Sequence, residues 1–216
     1  ILRNLPENSE VSFSLLDGKV ILKCANSQFS LLTIDANEFP QLLENENEEA
    51  LRIKLEKSNI KNILQHVIFS MASQDIRFYL NGLLLKVEQN NIFFVSTDGH
   101  RLSFYNVVDN ENNQTFSVII PRKAILEIYK NLDLSETKFI EINYSKKFVS
   151  FINSNIEIKS KIIEGNFPDF TKVIPQDNPI KIEIEREKLL KTLQRVSVLS
   201  NEKIRGIRLT FSDNKL

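Results

Sequence analysis

Apolar and polar positions along the chain follow two rhythms, and the switches between them outline its elements. Short strand-like runs occupy 11–15, 20–22 and 29–34, with Asp17-Gly18 marking the first turn. Further strands are expected at 51–55, from Arg77-Phe78-Tyr79-Leu80 through Val87, at 92–95, 102–105 and 116–120, and at 139–144, 148–152 and 156–163. In 139–144, Ile140, Ile142 and Tyr144 alternate with Glu141 and Asn143, so one face is buried and the other wet. Helical spacing begins near Ser58, where Ile60, Ile63, Leu64, Val67 and Ile68 form an amphipathic stripe. A second helix follows Pro121, a residue suited to a first turn, with Ile125, Ile128 and Leu132 inward. Beyond a link bounded by Pro175 and Pro179, the pattern predicts a strand at 180–185, a helix carrying Leu189, Leu193 and Val196, and a strand at 207–211. The acidic run 44–49, Ser73-Gln74-Asp75, 108–114 and Ser200-Asn201-Glu202-Lys203 read as linker and loops.

This order of elements recurs. Leu55-Glu56, Ile60 and Leu64-Gln65-His66-Val67 match Ile184-Glu185, Leu189 and Leu193-Gln194-Arg195-Val196. Phe39-Pro40 matches Phe167-Pro168, and Asn26-Ser27 matches Asn153-Ser154. The period of roughly 128 residues is domain-sized, far longer than the 20–50 of a solenoid repeat. The chain is therefore expected to hold the end of one domain (1–43), a complete second domain (44–177) and the start of a third (178–216). It opens on Ile1 without an initiator Met, as a fragment would.

Composition narrows the classes. With 42% hydrophobic and 26% charged residues in 216, the chain can bury a substantial core and stay soluble, and its net charge is zero. That balance excludes a uniformly basic protein but not a basic patch. The helical segments in fact carry Lys57, Lys61, Arg122, Lys123, Lys130, Arg186, Lys188, Lys191 and Arg195 against only Glu127 and Glu187. Such faces are either ordinary solvated helix surfaces or a surface that tracks a phosphate backbone without reading sequence. A lone Cys24 allows no internal disulfide and fits a reducing, intracellular setting. No run approaches the about 18 apolar residues of a membrane span, and no basic-then-apolar leader opens the chain.

Candidate chemistry centres on Thr97-Asp98-Gly99-His100-Arg101-Leu102, between two strand-like runs. Asp98-Gly99 answers the need of a hairpin turn, whereas His100 and Arg101 are not required by it. One reading makes His100 a base oriented by Asp98, as in a hydrolase, yet no Ser or Cys elbow accompanies them. His66 lies in a helical segment without metal-ligand spacing. The bland reading is a solvated hairpin rim on a β-rich interaction protein. Gln74, Arg77, Phe78 and Tyr79 are either core-entry residues or an edge that stacks on bases and contacts phosphate.

Four motifs, taken together, resemble the bacterial DNA polymerase III beta subunit family, the replicative sliding clamps. They are Thr97-Asp98-Gly99-His100-Arg101-Leu102, Val118-Ile119-Ile120-Pro121-Arg122-Lys123, Gly165-Asn166-Phe167-Pro168-Asp169-Phe170, and the stretch from Leu199-Ser200-Asn201-Glu202-Lys203 through Leu209. The resemblance is collinear along the whole chain and accounts for the repeat, since these clamps carry three similar domains in tandem. It implies an α+β DNA-clamp fold of repeated domains, with antiparallel sheets outside and helices lining the inside of a ring of two head-to-tail subunits. Such a ring encircles duplex DNA without sequence specificity and tethers the replicative polymerase catalytic subunit. It also serves the clamp loader and other clamp-binding proteins. The resemblance implies no catalysis, no cofactor, no metal and no membrane association. A partner peptide of the Gln-x-x-Leu-Phe type would enter a pocket between the second and third domains, at Leu80, Thr97, Gly99, His100, Arg101, Leu102, Pro168, Lys172, Val173 and Ile204. Lys172 stands where the family commonly has Arg, and Ile204 where an aromatic is frequent. DNA contacts map onto Gln74, Arg77, Phe78, Tyr79, Arg122 and Lys123, and the dimer interface onto Phe29, Leu31, Val198 and Leu199.

Overall fold

The computed structural model of the chain describes residues 1–39, 50–110, 112–134, 136–154, 156–199 and 206–211. The acidic run 44–49, Pro40, the polar run 200–203 and Ile204 lie outside these residues. Three strands, β1 (Val11–Leu16), β2 (Lys19–Cys24) and β3 (Ser27–Leu32), form an antiparallel meander. Its first turn takes Asp17 to φ 48° and Gly18 to φ 69°, the left-handed pair whose twist matches the flanking strands.

Next come β4 (Leu51–Glu56), α1 (Lys57–Val67), β5 (Gly82–Glu88), β6 (Asn91–Thr97), β7 (Leu102–Val108) and β8 (Thr115–Pro121). They are followed by α2 (Arg122–Asn131), β9 (Phe139–Tyr144), β10 (Phe148–Asn153), β11 (Ile156–Lys161) and α3 (Arg186–Ser197). The strands from β4 to β11 build two antiparallel sheets, ordered β11-β10-β9-β4 and β7-β6-β5-β8. The fold is α+β, with antiparallel sheets and helices packed against them.

One core joins both sheets and the first two helices. The stripe Ile60, Ile63, Leu64 and Val67 of α1 and the residues Ala124, Ile125 and Ile128 of α2 meet Ile53, Leu83, Leu85, Phe94, Ile120 and Ile142. Burying each such aliphatic side chain contributes about 1.5–3 kcal/mol. Because strand side chains alternate between faces, Leu84 points away from Leu83 and Leu85. It joins Val95, Ile119 and Phe170 in a second, smaller cluster, against which Tyr79, Leu102, Ile163, Phe167 and Ile174 pack. The segment that follows β11 therefore lies over the other face of sheet β7-β6-β5-β8. It is tied down where the Ile163 N–H donates to the Ile119 carbonyl at 2.8 Å.

Several expectations change. Residues 180–185 and 207–211 are not strands, although their alternation is strand-like. No ladder partner pairs with either among the described residues, and a strand's backbone groups need one. For the same want of cover α3 forms but buries none of its residues. The expected long strand from Arg77 breaks in two: Phe78–Leu80 is a 3-10 turn and β5 starts only at Gly82. Local bonds decide this, with the Leu80 N–H donating to the Arg77 carbonyl at 2.8 Å and Asn81 Nδ2 to the Asp75 carbonyl at 2.8 Å. One repeat anchor is also shifted. Cys24 pairs with Ser27 across one hairpin and Asn153 with Ile156 across the other, so Ser27 corresponds to Ile156 and not to Ser154. The same spacing relates the helix starts Lys57 and Arg186. Among the described residues no helix is long and apolar enough to cross a membrane.

Candidate functional site

The second cluster ends in an open cleft of about 520 Å³ on the outer face of sheet β7-β6-β5-β8. Its lining comes from three separate stretches: Arg77, Tyr79 and Leu80; Thr97 with Gly99 to Phe104, omitting Ser103; and Phe167, Pro168, Phe170 and Val173 to Pro175. Leu80 and Phe170 are its most buried members, at 2% and 6% exposure. Phe104 stacks on Phe170 with ring centroids 6.2 Å apart, and Phe93 is tilted against the same ring at 5.9 Å. The result is an apolar trough with a polar rim.

The β6–β7 turn is wired by its own side chains. Thr97 Oγ1 accepts the Gly99 N–H at 3.0 Å and donates to the Arg101 carbonyl at 2.7 Å. Asp98 Oδ1 accepts the N–H groups of His100 and Arg101 at 2.9 and 3.0 Å, and Oδ2 accepts Arg101 Nε at 3.0 Å. Burial pushes the Asp98 carboxyl up, but these donors outweigh it and hold the pKa below the ordinary value. The carboxylate therefore serves the backbone and Arg101, and the imagined Asp98–His100 dyad is absent from its bonds. Gly99 sits at φ +87°, a left-handed value that glycine adopts freely. Arg101 also lies over the Phe69 ring, 5.6 Å from its centroid. Among the described residues no group of three or more His, Cys, Asp or Glu side chains could hold a metal ion.

Of the expected pocket residues, Leu80, Thr97, Gly99, His100, Arg101, Leu102, Pro168 and Val173 all line this cleft. Lys172 does not. Its ammonium pairs with Asp169 Oδ2 at 3.2 Å, and Thr171 Oγ1 donates to Asp169 Oδ1 at 2.6 Å. These two donors, Thr171 first, lower the Asp169 carboxyl pKa. The Ile204 position lies outside the described residues. Sequence reasoning missed Phe104, Phe167, Phe170, Ile174 and Pro175. Phe104 was recoverable, because it shares a strand face with Leu102, and Phe167 and Phe170 sit inside a motif already singled out.

The expected DNA set divides. Gln74 is exposed at φ 59°, Phe78 is 57% exposed, and Tyr79 meets Phe78 edge-on at 5.9 Å. Arg77 and Tyr79 line the cleft. Arg122 is partly buried, and its Nη1 donates to the carbonyls of Ile68 and Met71 at 3.2 and 3.1 Å. Lys123 is exposed on α2. Of the expected interface residues, Phe29 is half-buried on β3, where it pairs with Leu22. Leu31 is exposed on the same strand, and Val198 and Leu199 are exposed just past α3.

Fold and cleft together define an α+β protein whose apolar trough opens over one sheet. Comparison with known proteins agrees with the four motifs. The DNA polymerase III beta subunit central-domain family matches residues 54–169 and the C-terminal-domain family matches 171–216. The chain is 34% identical over 217 residues to the beta sliding clamp of Pseudomonas putida, covering 100% of itself and 58% of that relative. Among the similar solved structures are two from Pseudomonas aeruginosa. The DNA polymerase III subunit beta has a TM-score of 0.77 at 30% identity, with 93% of this chain and 55% of that one covered. A sliding clamp bound to griselimycin has a TM-score of 0.77 at 31% identity, with 98% and 57% covered. The chain belongs to the DNA polymerase III beta subunit family, and it spans 58% of the length of the curated relatives it matches.

Proposed function

We propose that this chain is part of a replicative sliding clamp: a processivity factor that encircles duplex DNA without sequence specificity. It tethers the replicative polymerase and other partners, the clamp loader among them, through a peptide pocket between the second and third domains. In this reading 44–177 is the second domain, flanked by the end of the first (1–43) and the start of the third (178–216). The observation that carries it is the cleft of about 520 Å³, which gathers the Thr97–Leu102 turn, Leu80, Pro168 and Val173 around an apolar trough. Apolar anchors entering such a trough past a polar rim are a usual hot-spot arrangement for a short peptide. Basic helices with few acids support weak, salt-dependent backbone contacts, which let a ring slide where base-specific bonds would pin it.

The protein works in the cytoplasm as a head-to-tail homodimer and acts topologically, with no reaction of its own. Phe29 and Leu31 of one subunit face Val198 and Leu199 of the other. The griselimycin-bound relative supports a further point, that this protein also binds that compound. The deciding experiment is retention of the full-length protein on DNA. A ring stays on circles and runs off linear duplexes; equal retention on both refutes the clamp reading.

A further inference from the structure

Arg77 belongs to two expected surfaces at once, the DNA edge and the cleft, and its bonds discriminate between them. Its Nε and Nη2 donate to the two oxygens of Asp75 at 3.0 and 2.8 Å, a full fork-to-carboxylate pair. The remaining reach of Nη2 goes to the Asp98 carbonyl at 3.3 Å, inside the β6–β7 turn. The guanidinium lies directly against Gly99, where an added methyl would sit 2.9 Å from Nη2 and 3.0 Å from Nη1. Its charge is thus matched by a carboxylate, and its Nε and Nη2 donors are engaged. A phosphate that took the fork of Nε and Nη2 would have to displace Asp75.

Asp75 is itself held from behind. Its N–H donates to Asn81 Oδ1 at 2.9 Å, and its carbonyl accepts Asn81 Nδ2 at 2.8 Å. Its Oδ1 also accepts the Arg77 N–H at 2.8 Å. The Asn81 carbonyl in turn accepts the N–H of Arg122, the first residue of α2, at 2.9 Å. An unbroken chain of hydrogen bonds therefore runs from the start of α2 through Asn81, Asp75 and Arg77 to Asp98. The Asp98 carboxylate then orders His100 and Arg101.

We infer that Asp75 and Arg77 are positioning residues for the peptide cleft: a bracket that fixes the Asp98–Arg101 rim to the start of α2, with Arg77 taking no phosphate of its own. The inference rests on the proposed pocket and sharpens it. It names residues that set the rim's geometry without needing to be anchors. A lysine at position 77 keeps the charge but loses the planar fork, and an asparagine at 75 loses the carboxylate that orients the guanidinium.

The test uses the full-length protein with Asp75→Asn, Arg77→Lys and Arg77→Gln, each first shown to fold by a cooperative urea transition. Three readouts are taken: backbone amide exchange over 97–102, affinity for a labelled Gln-x-x-Leu-Phe peptide, and the salt slope of DNA binding. Expected are at least fivefold faster exchange in the turn and at least fivefold weaker peptide binding in all three variants, with the parent's salt slope kept in Arg77→Gln. An Arg77 that holds a phosphate in the parent would instead flatten the slope in Arg77→Gln by about 0.9. A flattened slope in Arg77→Gln, or turn exchange equal to the parent's, overturns the bracket. If the turn loosens as expected but the parent protein takes no peptide, the bracket stands and the pocket reading fails.

Discussion

Leu102 and Leu80 both line the cleft, but they stand differently in the free protein, and that difference makes a sharp experiment. Truncating Leu to Ala removes about three methylene-sized groups, worth about 0.8 kcal/mol each when fully buried, or about 2.4 kcal/mol in all. Leu102 is only partly buried before any ligand arrives. Part of that sum therefore belongs to folding, and about 1 kcal/mol remains for the moment a peptide covers it. At about 1.4 kcal/mol per tenfold, Leu102→Ala should weaken peptide binding about fivefold while leaving most of the stability intact. Leu80 is 2% exposed, so little of its surface is left for a ligand to cover. Its truncation should cost folding about 2–5 kcal/mol, and affinity follows only as far as the floor of the cleft relaxes. Fluorescence anisotropy with a labelled Gln-x-x-Leu-Phe peptide measures the first quantity, and urea unfolding the second. Affinity unchanged in both variants would refute the placement of the peptide in this cleft. A larger stability loss for Leu102 than for Leu80 would refute the burial argument itself.

Three further outcomes follow from the same structure. Ile63 is fully buried between α1 and both sheets, so Ile63→Ala should lower the urea midpoint by the equivalent of about 2–5 kcal/mol with the slope preserved; a change below 1 kcal/mol contradicts the shared core. Arg122→Ala should cost about 1.5–3 kcal/mol, because two backbone carbonyls lose a charged donor, and undiminished stability would mean that the guanidinium is not anchored there. The hydrogen bonds from the Arg77 side chain, then from its backbone N–H, hold the Asp75 carboxyl down to about 2. A depressed folded pKa stabilises the native state above the unfolded value of about 3.9, and that contribution fades as pH falls toward 2. Carbon-detected NMR titration of Asp75 should accordingly show its midpoint near 2; a midpoint at the ordinary value rules out the pair.

How much of this was legible before any coordinates depends on the range of the interaction involved. Helices α1 and α2 could be read from their stripes, since Ile60, Ile63 and Leu64 declare a buried face through spacing alone. The β6–β7 hairpin was equally open, because turn chemistry is local to Asp98 and Gly99. Where alternation was present but pairing was not, at 180–185 and 207–211, the same logic overreached: a strand is a property of two segments, and one segment's pattern cannot supply its neighbour. The break at Phe78–Leu80 escaped for a related reason, since it depends on Asn81 reaching back to Asp75.

The cleft divides along the same line. By itself the sequence determined its motifs, its apolar anchors and, through resemblance, their family. Only the tertiary structure decided that Phe104 and Phe170 would stack to form the trough, that Lys172 would turn to Asp169, and that Arg77 would lie against Gly99 with its charge already matched. Those outcomes join stretches far apart in the chain. Which of a cation's several neighbouring acceptors it keeps is a competition in three dimensions, settled by distance and desolvation at the folded site and carried by no local pattern.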